Sequence, residues 1–249
     1  MHMDPQRHLD LEGGHNIRDL GGYDTVDGAQ TNWRVFLRAA CLDKLTAEAQ
    51  QSLVDLGLQT IIDLRQPSEL EAHPSVFAGS TSSPTYIHID VLVEGMTRPE
   101  APADLPSELR TAESYKHWLE ERQEGLLQTM QALAAPGALP ALYNCAAGKD
   151  RTGLISAFLL GLAGVPNETI VADYALSAPC LWPRDREEFQ QQHGSDATLE
   201  EFTRAYSAEL TMEIVLEYLQ TKYGGIPHYL VEIGLTDADI DHLRSSLVD

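Results

Sequence analysis

The run Leu139-Pro140-Ala141-Leu142-Tyr143-Asn144-Cys145-Ala146-Ala147-Gly148-Lys149-Asp150-Arg151-Thr152-Gly153 starts as an apolar, strand-like segment and passes through a short loop. It leads into residues 152–162, which are nearly all apolar and fit a helix buried on most sides. Cys145 stands where the strand ends, and Arg151 stands six positions later where the helix opens. The five residues between them can wrap their backbone N–H groups around one tetrahedral anion, with the positive end of a helix behind them. Such donors also favour the thiolate form of a cysteine at the centre of a loop. The planar fork of Arg151 matches two phosphate oxygens. Gly148 permits a backbone angle closed to other residues, and Thr152 can set a hydroxyl near the sulfur.

Two other readings compete. An unpaired Cys is usually a small core residue, and an Arg six places on is common by chance. What separates this pair is its setting, with an apolar strand before it, an apolar helix after it, and Gly148, Lys149, Asp150 and Thr152 at useful places. A nucleotide-binding phosphate loop is the second reading. It fails because Gly148-Lys149 is followed by Asp150 rather than Ser or Thr, and position 143, five residues before Gly148, is Tyr143.

Outward from the loop, residues 46–56 predict a helix that Thr46 opens and Gly57 ends. Residues 33–37, 58–64 and 85–91 predict strands, and 139–143 predicts the strand before the loop. Residues 113–135 read as one helix with Gly125 as its weak point, and Pro166 opens another through Ser177. The last 50 residues read as helical, broken at Gly224-Gly225 and Gly234. Segment 92–109, with Pro99, Pro102 and Pro106, reads either as a lid or as a surface loop. Strands alternating with helices predict an α/β fold, a central sheet flanked by helices. The expected organisation is one catalytic domain over 1–249, with a helical C-terminal portion over 195–249. Strand order and direction are not legible at this level.

Seventeen Lys and Arg against 38 Asp and Glu leave a net charge of −21 on 249 residues. Such a chain is expected to stay soluble, to avoid nucleic acid, and to make no stable association with a membrane surface. An anionic substrate must therefore be drawn by a local site that overrides the global field. Cys41, Cys145 and Cys180 have neither the number nor the spacing of a disulfide framework or a structural zinc site. Cys41 and Cys180 read as packing residues. The first ten residues are polar, and no stretch reaches the about 18 apolar residues of a membrane span, so a cytoplasmic setting is expected.

The segment Cys145-Ala146-Ala147-Gly148-Lys149-Asp150-Arg151-Thr152-Gly153 resembles the phosphate loop of protein-tyrosine phosphatases. Other elements extend the resemblance over nearly the whole chain. They are Asn16-Ile17-Arg18-Asp19-Leu20-Gly21-Gly22-Tyr23, Leu37-Arg38-Ala39-Ala40, Asp63-Leu64-Arg65 with Glu69, Val171-Ala172-Asp173-Tyr174, and Tyr223-Gly224-Gly225 with Tyr229-Leu230. Together they are most similar to the tyrosine/serine phosphatases of bacteria and fungi, a family that includes a secreted mycobacterial enzyme.

The resemblance implies a tyrosine-phosphatase fold and a two-step mechanism through a phosphocysteine on Cys145. Asp150 would be the general acid, Arg151 the clamp on the phosphoryl group, and Thr152 the hydroxyl that helps the sulfur leave. Ala146, Ala147, Gly148, Lys149, Asp150 and Arg151 would bind the phosphate. Asp63 and Arg65 read equally as a support for the loop, with Asp63 as reserve acid, or as a strand-end ion pair. Asn144 stands where related loops usually carry His. No metal and no organic cofactor is implied.

The expected partner is a phosphorylated protein or a small phosphomonoester. Phosphotyrosine comes first, phosphoserine or phosphothreonine next, and phosphoinositides are the alternative. A non-catalytic phosphate-binding module is the rival of a different class. Arg18, Asp19 and Arg38 read as structural, and Asp173 as a helix-face ion pair. The oligomeric state stays open.

Overall fold

The computed structural model describes residues 4, 6–80, 84–95 and 104–248. Strands β1 (Arg18–Asp19) and β2 (Phe36–Ala39) come first, followed by α1 (Ala47–Asp55), β3 (Thr60–Asp63), α2 (Pro67–Ala72) and β4 (Thr85–His88). Helices α3 (Ser107–Glu121) and α4 (Gln123–Ala134) precede β5 (Ala141–Asn144) and α5 (Asp150–Leu162). Then come α6 (Asn167–Ala175), α7 (Ser177–His193), α8 (Leu199–Tyr206), α9 (Glu209–Tyr223), α10 (Ile226–Glu232) and α11 (Asp237–Val248).

The sheet runs in the order β1-β2-β5-β3-β4. Strands β2, β5, β3 and β4 are mutually parallel, and β1 adds an antiparallel edge. Ala39, Asn144 and Asp63 are level in the register, so the carboxyl ends of three strands lie side by side, with β5 in the middle. In open parallel sheets, this edge is where ligands bind. Strand β5 is buried at every position because both faces of the sheet are covered. Alternation sends Tyr143 into the larger core with α5 and the C-terminal helices, and Leu142 into a second core with α1. Met212, Leu216, Tyr229 and Leu243 of the C-terminal helices belong to the same apolar cluster as Leu154, Ile155 and Phe158 of α5.

The helix at 46–56 forms as expected: Thr46 Oγ1 accepts from the Ala49 amide at 3.3 Å, and Gly57 turns the chain at φ +81°. Four expectations are corrected. The strand placed at 33–37 starts only at Phe36, because Arg34 takes a left-handed φ of +64° that no strand accommodates. The single helix at 113–135 is two, broken at Arg122 rather than at Gly125. Gly125 lies inside α4, where a Cβ would sit 2.7 Å from Val91 Cα, so its role is close packing. The helix expected through Ser177 ends at Ala175, and Ser177 opens α7. Sequence reading assigned no element to the segment that forms α7, which carries Pro179 and Pro183. Pro179 falls in its first turn, where the missing N–H costs nothing, while Pro183 is carried inside.

Strand β4 also stops at His88, short of 91. Beyond it, the Asp90 carboxylate accepts the amides of Leu92, Val93 and Glu94 and closes a tight turn. The centre of the expected lid or loop, 96–103, lies outside the described residues, and α3 already begins at Ser107. Among the described residues, no helix is long and apolar enough to cross a membrane.

Candidate active site

Strand β5 delivers Cys145 to the middle of the carboxyl edge, and α5 starts five residues later at Asp150. The loop between them is pinned from outside by its carbonyls. The Cys41 amide donates to Ala146 O at 3.1 Å, and Asn16 Nδ2 donates to Ala147 O and Gly148 O at 2.9 and 3.0 Å. Arg38 Nη2 adds a bond to Gly148 O at 2.7 Å. In a trans peptide the N–H points opposite to the C=O. Anchoring three successive carbonyls outward therefore turns the amides of Ala147, Gly148 and Lys149 inward, a concave nest that suits an anion. Cys145 leads into it from the end of β5 and is 1 % exposed.

Gly148 makes this curvature possible. Its φ is +66°, and a Cβ there would lie 2.4 Å from Ala39 O and 2.6 Å from Ala40 N. Those are backbone atoms of the neighbouring strand and cannot step aside. Gly148→Ala is therefore expected to push the loop off its anchors, lowering kcat/KM for an aryl phosphate by about 10²-fold and destabilising the fold by about 1–3 kcal/mol. Steady-state kinetics and thermal melts check this; unchanged kinetics would mean the nest does not depend on that angle.

Arg151 is nearly buried. Its Nη1 and Nη2 grip Glu69 Oε2 and Oε1 at 2.6 and 2.8 Å, and Nη1 also donates to Leu64 O at 3.2 Å. Burial works against the charge on Arg151, but the bonds to Glu69 and the nearby Cys145 sulfur raise its pKa. Burial likewise works against the Glu69 carboxylate, and the Arg151 bond overcomes it and lowers its pKa. The guanidinium is thus charged and held in one orientation beside the loop.

Behind the loop lies a cluster of buried charges. Asp173 receives Arg18 Nε at 3.2 Å, Arg38 Nη1 at 2.6 Å and the Tyr23 hydroxyl at 2.9 Å. Arg18 also bonds to the Asn16 side chain, the same side chain that anchors Ala147 and Gly148. Asp173 is 1 % exposed, so the expected helix-face pair is corrected to the hub of a buried network. Sequence proximity could not show this, since 135 residues separate Arg38 from Asp173.

Asp63 and Arg65 form a buried bidentate pair at 2.8 and 2.7 Å, with Tyr86 Oη on the same carboxylate at 3.1 Å. Arg65 reaches on to His73 O at 2.7 Å and Cys41 Sγ at 2.8 Å. Burial and a hydrogen bond to Asp43 push the Cys41 thiol up to about 12. Asn144 and Thr152 are fully buried, and their side-chain polar atoms have no hydrogen-bond partner among the described residues. Lys149 Nζ turns away from the nest to Tyr206 O at 2.6 Å, 4.1 Å above the Tyr206 ring. Asp150 is about a third exposed and accepts Tyr115 Oη at 2.6 Å. Among the described residues, no His, Cys, Asp or Glu group is arranged to hold a metal ion.

Three hollows surround the loop. One of about 570 Å³ is walled by Ala146, Ala147, Arg65, Ala72 and Tyr206. A smaller one of about 230 Å³ meets Asp150 and Tyr115, and one of about 340 Å³ meets Arg151 and Glu69. Glu69, Tyr115 and Asn16 are the site residues that sequence reasoning left without a role. Glu69 and Asn16 stood inside quoted motifs, whereas nothing near Tyr115 marked it.

The sequence model of the Tyrosine phosphatase family matches residues 9–249. The chain is 34 % identical over 221 residues to a tyrosine-protein phosphatase of Nostoc commune, covering 85 % of this chain and 74 % of the relative. It is 33 % identical over 138 residues to the triple specificity protein phosphatase PtpB of Mycobacterium tuberculosis, covering 51 % of this chain and 49 % of that one. The family match takes in sheet, loop and C-terminal helices alike, so the whole chain, and not the loop alone, belongs to the tyrosine phosphatase family and is a protein-tyrosine phosphatase.

Proposed function

We propose that the chain hydrolyses phosphotyrosine through a phosphocysteine on Cys145. The observation that carries this reading is a buried cysteine at the head of a loop whose three carbonyls are tied outward, with Arg151 fixed alongside by Glu69. The Cys145 thiolate attacks phosphorus, and the P–O bond electrons pass to the leaving oxygen, which takes a proton from Asp150. Water then attacks phosphorus and gives its proton to Asp150, and the S–P electrons return to sulfur. Inward amides and Arg151 stabilise the charge on the transferring oxygens. Asp150 suits the acid role because its carboxyl is partly open to solvent, whereas Asp63 is sealed in its pair with Arg65.

Substrate preference rests on depth and wall chemistry. A cysteine 1 % exposed favours a long phosphorylated side chain, and the hollow with Tyr206, Ala146 and Ala147 suits an aromatic ring. Phosphoinositides are the weaker reading, since Ala146 follows the cysteine and Lys149 is held by Tyr206 rather than by the nest.

Phosphotyrosine peptide, phosphoserine peptide and inositol-phosphate head groups are expected to rank in that order of kcat/KM. A head group turned over faster than the phosphotyrosine peptide would sink the substrate assignment. Asp150→Asn is expected to slow phenyl phosphate by about 10²-fold while sparing 4-nitrophenyl phosphate, whose leaving group departs without a proton. Equal loss on both esters would move the acid role elsewhere.

A further inference from the structure

We propose that Tyr115 is a positioning residue for the general acid: its hydroxyl occupies one oxygen of Asp150 and so assigns the transferable proton to the other. The inference rests on the reading of Asp150 as the acid. Tyr115 comes from α3, 35 residues before Asp150, and is fully buried. Its Oη lies 2.6 Å from Asp150 Oδ1 and 3.1 Å from Tyr174 Oη. The shorter distance is that of a hydroxyl bonded to a carboxylate.

A phenol carries one proton, and the charged acceptor takes it. Tyr174 must then supply the proton between the two hydroxyls, which gives a directed chain from Tyr174 to Tyr115 to Asp150. Burial, the adjacent Asp150 charge and the Tyr174 contact raise the Tyr115 pKa well above the usual phenol range, so it serves as a donor and not as an acid itself.

The geometry leaves little slack. The Tyr115 ring stacks on Trp118 at 5.1 Å and meets Tyr174 edge-on at 6.2 Å. Tyr174 in turn lies against Gly153, where a Cβ would come within 3.1 Å of its ring. A glycine three places after Asp150 thus lets the aromatic pair approach the helix that carries the acid. Lys149 Nζ stands 3.3 Å from the same Oδ1. One hydrogen bond and one ion pair therefore meet on Oδ1, and no described protein group engages Oδ2. In the first step the proton leaves from Oδ2 to the ester oxygen, and in the second Oδ2 receives one from water. Oδ1 stays with Tyr115 throughout.

The rival is that Tyr115 is only a buried phenol satisfying its hydroxyl. Leaving-group dependence separates the two. Tyr115→Phe is expected to lower kcat on phenyl phosphate about tenfold and to change 4-nitrophenyl phosphate by less than about twofold. Tyr174→Phe should give a smaller loss with the same selectivity, and it serves if the first variant folds poorly. In an Asp150→Asn background, Tyr115→Phe should add no selective loss.

Equal losses on both esters would overturn the inference, as would a selective loss that persists without the Asp150 carboxyl. If Asp150→Asn is selective and neither tyrosine variant is, the positioning role fails while the acid assignment stands. If Asp150→Asn shows no selectivity, the acid assignment itself fails, and the inference falls with it.

Discussion

Cys145→Ser is expected to abolish turnover, lowering kcat on 4-nitrophenyl phosphate by about 10⁴-fold or more, while the protein stays folded and still binds phosphate. Cys145 is 1 % exposed, and a serine hydroxyl is smaller than the thiol it replaces and needs no added room. A serine hydroxyl is a far weaker nucleophile at neutral pH than a thiolate. Losing a nucleophile removes the reaction path rather than one of its supports, hence the large figure. The phosphate donors are untouched, because the carbonyl anchors come from Asn16, Arg38 and the Cys41 amide. Activity within tenfold of wild type would refute the nucleophile assignment. A wild type that binds phosphate but never turns over a monoester would favour the binding-module rival.

The second large effect concerns stability. Asp173→Asn should destabilise the protein by about 3–5 kcal/mol, because Arg18 and Arg38 would then share a buried site with no counter-charge. At this chain length that corresponds to a fall in Tm of about 10 °C. Activity should fall as well, since Arg38 and Asn16 both tie this network to the phosphate loop.

The pH dependence has a definite sign. Burial alone would raise the Asp173 pKa, but the Arg18 and Arg38 guanidinium groups hold it down to about 2. That lies below the roughly 3.9 of an unfolded aspartate. The contribution is therefore present above about pH 4 and is lost as pH falls through about 2. The stability gap between wild type and Asp173→Asn should narrow over that window. A gap that stays constant from neutral pH down to pH 2 would show that charge compensation is not what Asp173 supplies.

The loop and its flanks were legible because their signals are local. An apolar strand, five loop residues and an apolar helix are contiguous in sequence, and their hydrophobic pattern alone marks the strand and the helix as buried. The helix at 46–56 was legible for a similar reason, since its Thr46 cap and Gly57 stop are both within the segment. Glycine misled at 125, because propensity records what a residue disfavours in isolation and not what a neighbour such as Val91 requires.

The net charge of −21 likewise bounded the problem without locating the answer. It requires local attraction of an anion, and the candidate donors of that attraction, inward amides and Arg151, converge only in three dimensions.

By itself, then, the sequence determined the α/β class and the strand–loop–helix unit and singled out the candidate loop residues, because each depends on neighbours within a few positions. Only the tertiary structure decided the order of the strands, the partner of Arg151, the hub at Asp173 and the contact of Tyr115 with Asp150. Those depend on side chains 35 to 155 residues apart, brought together by packing that no local pattern encodes.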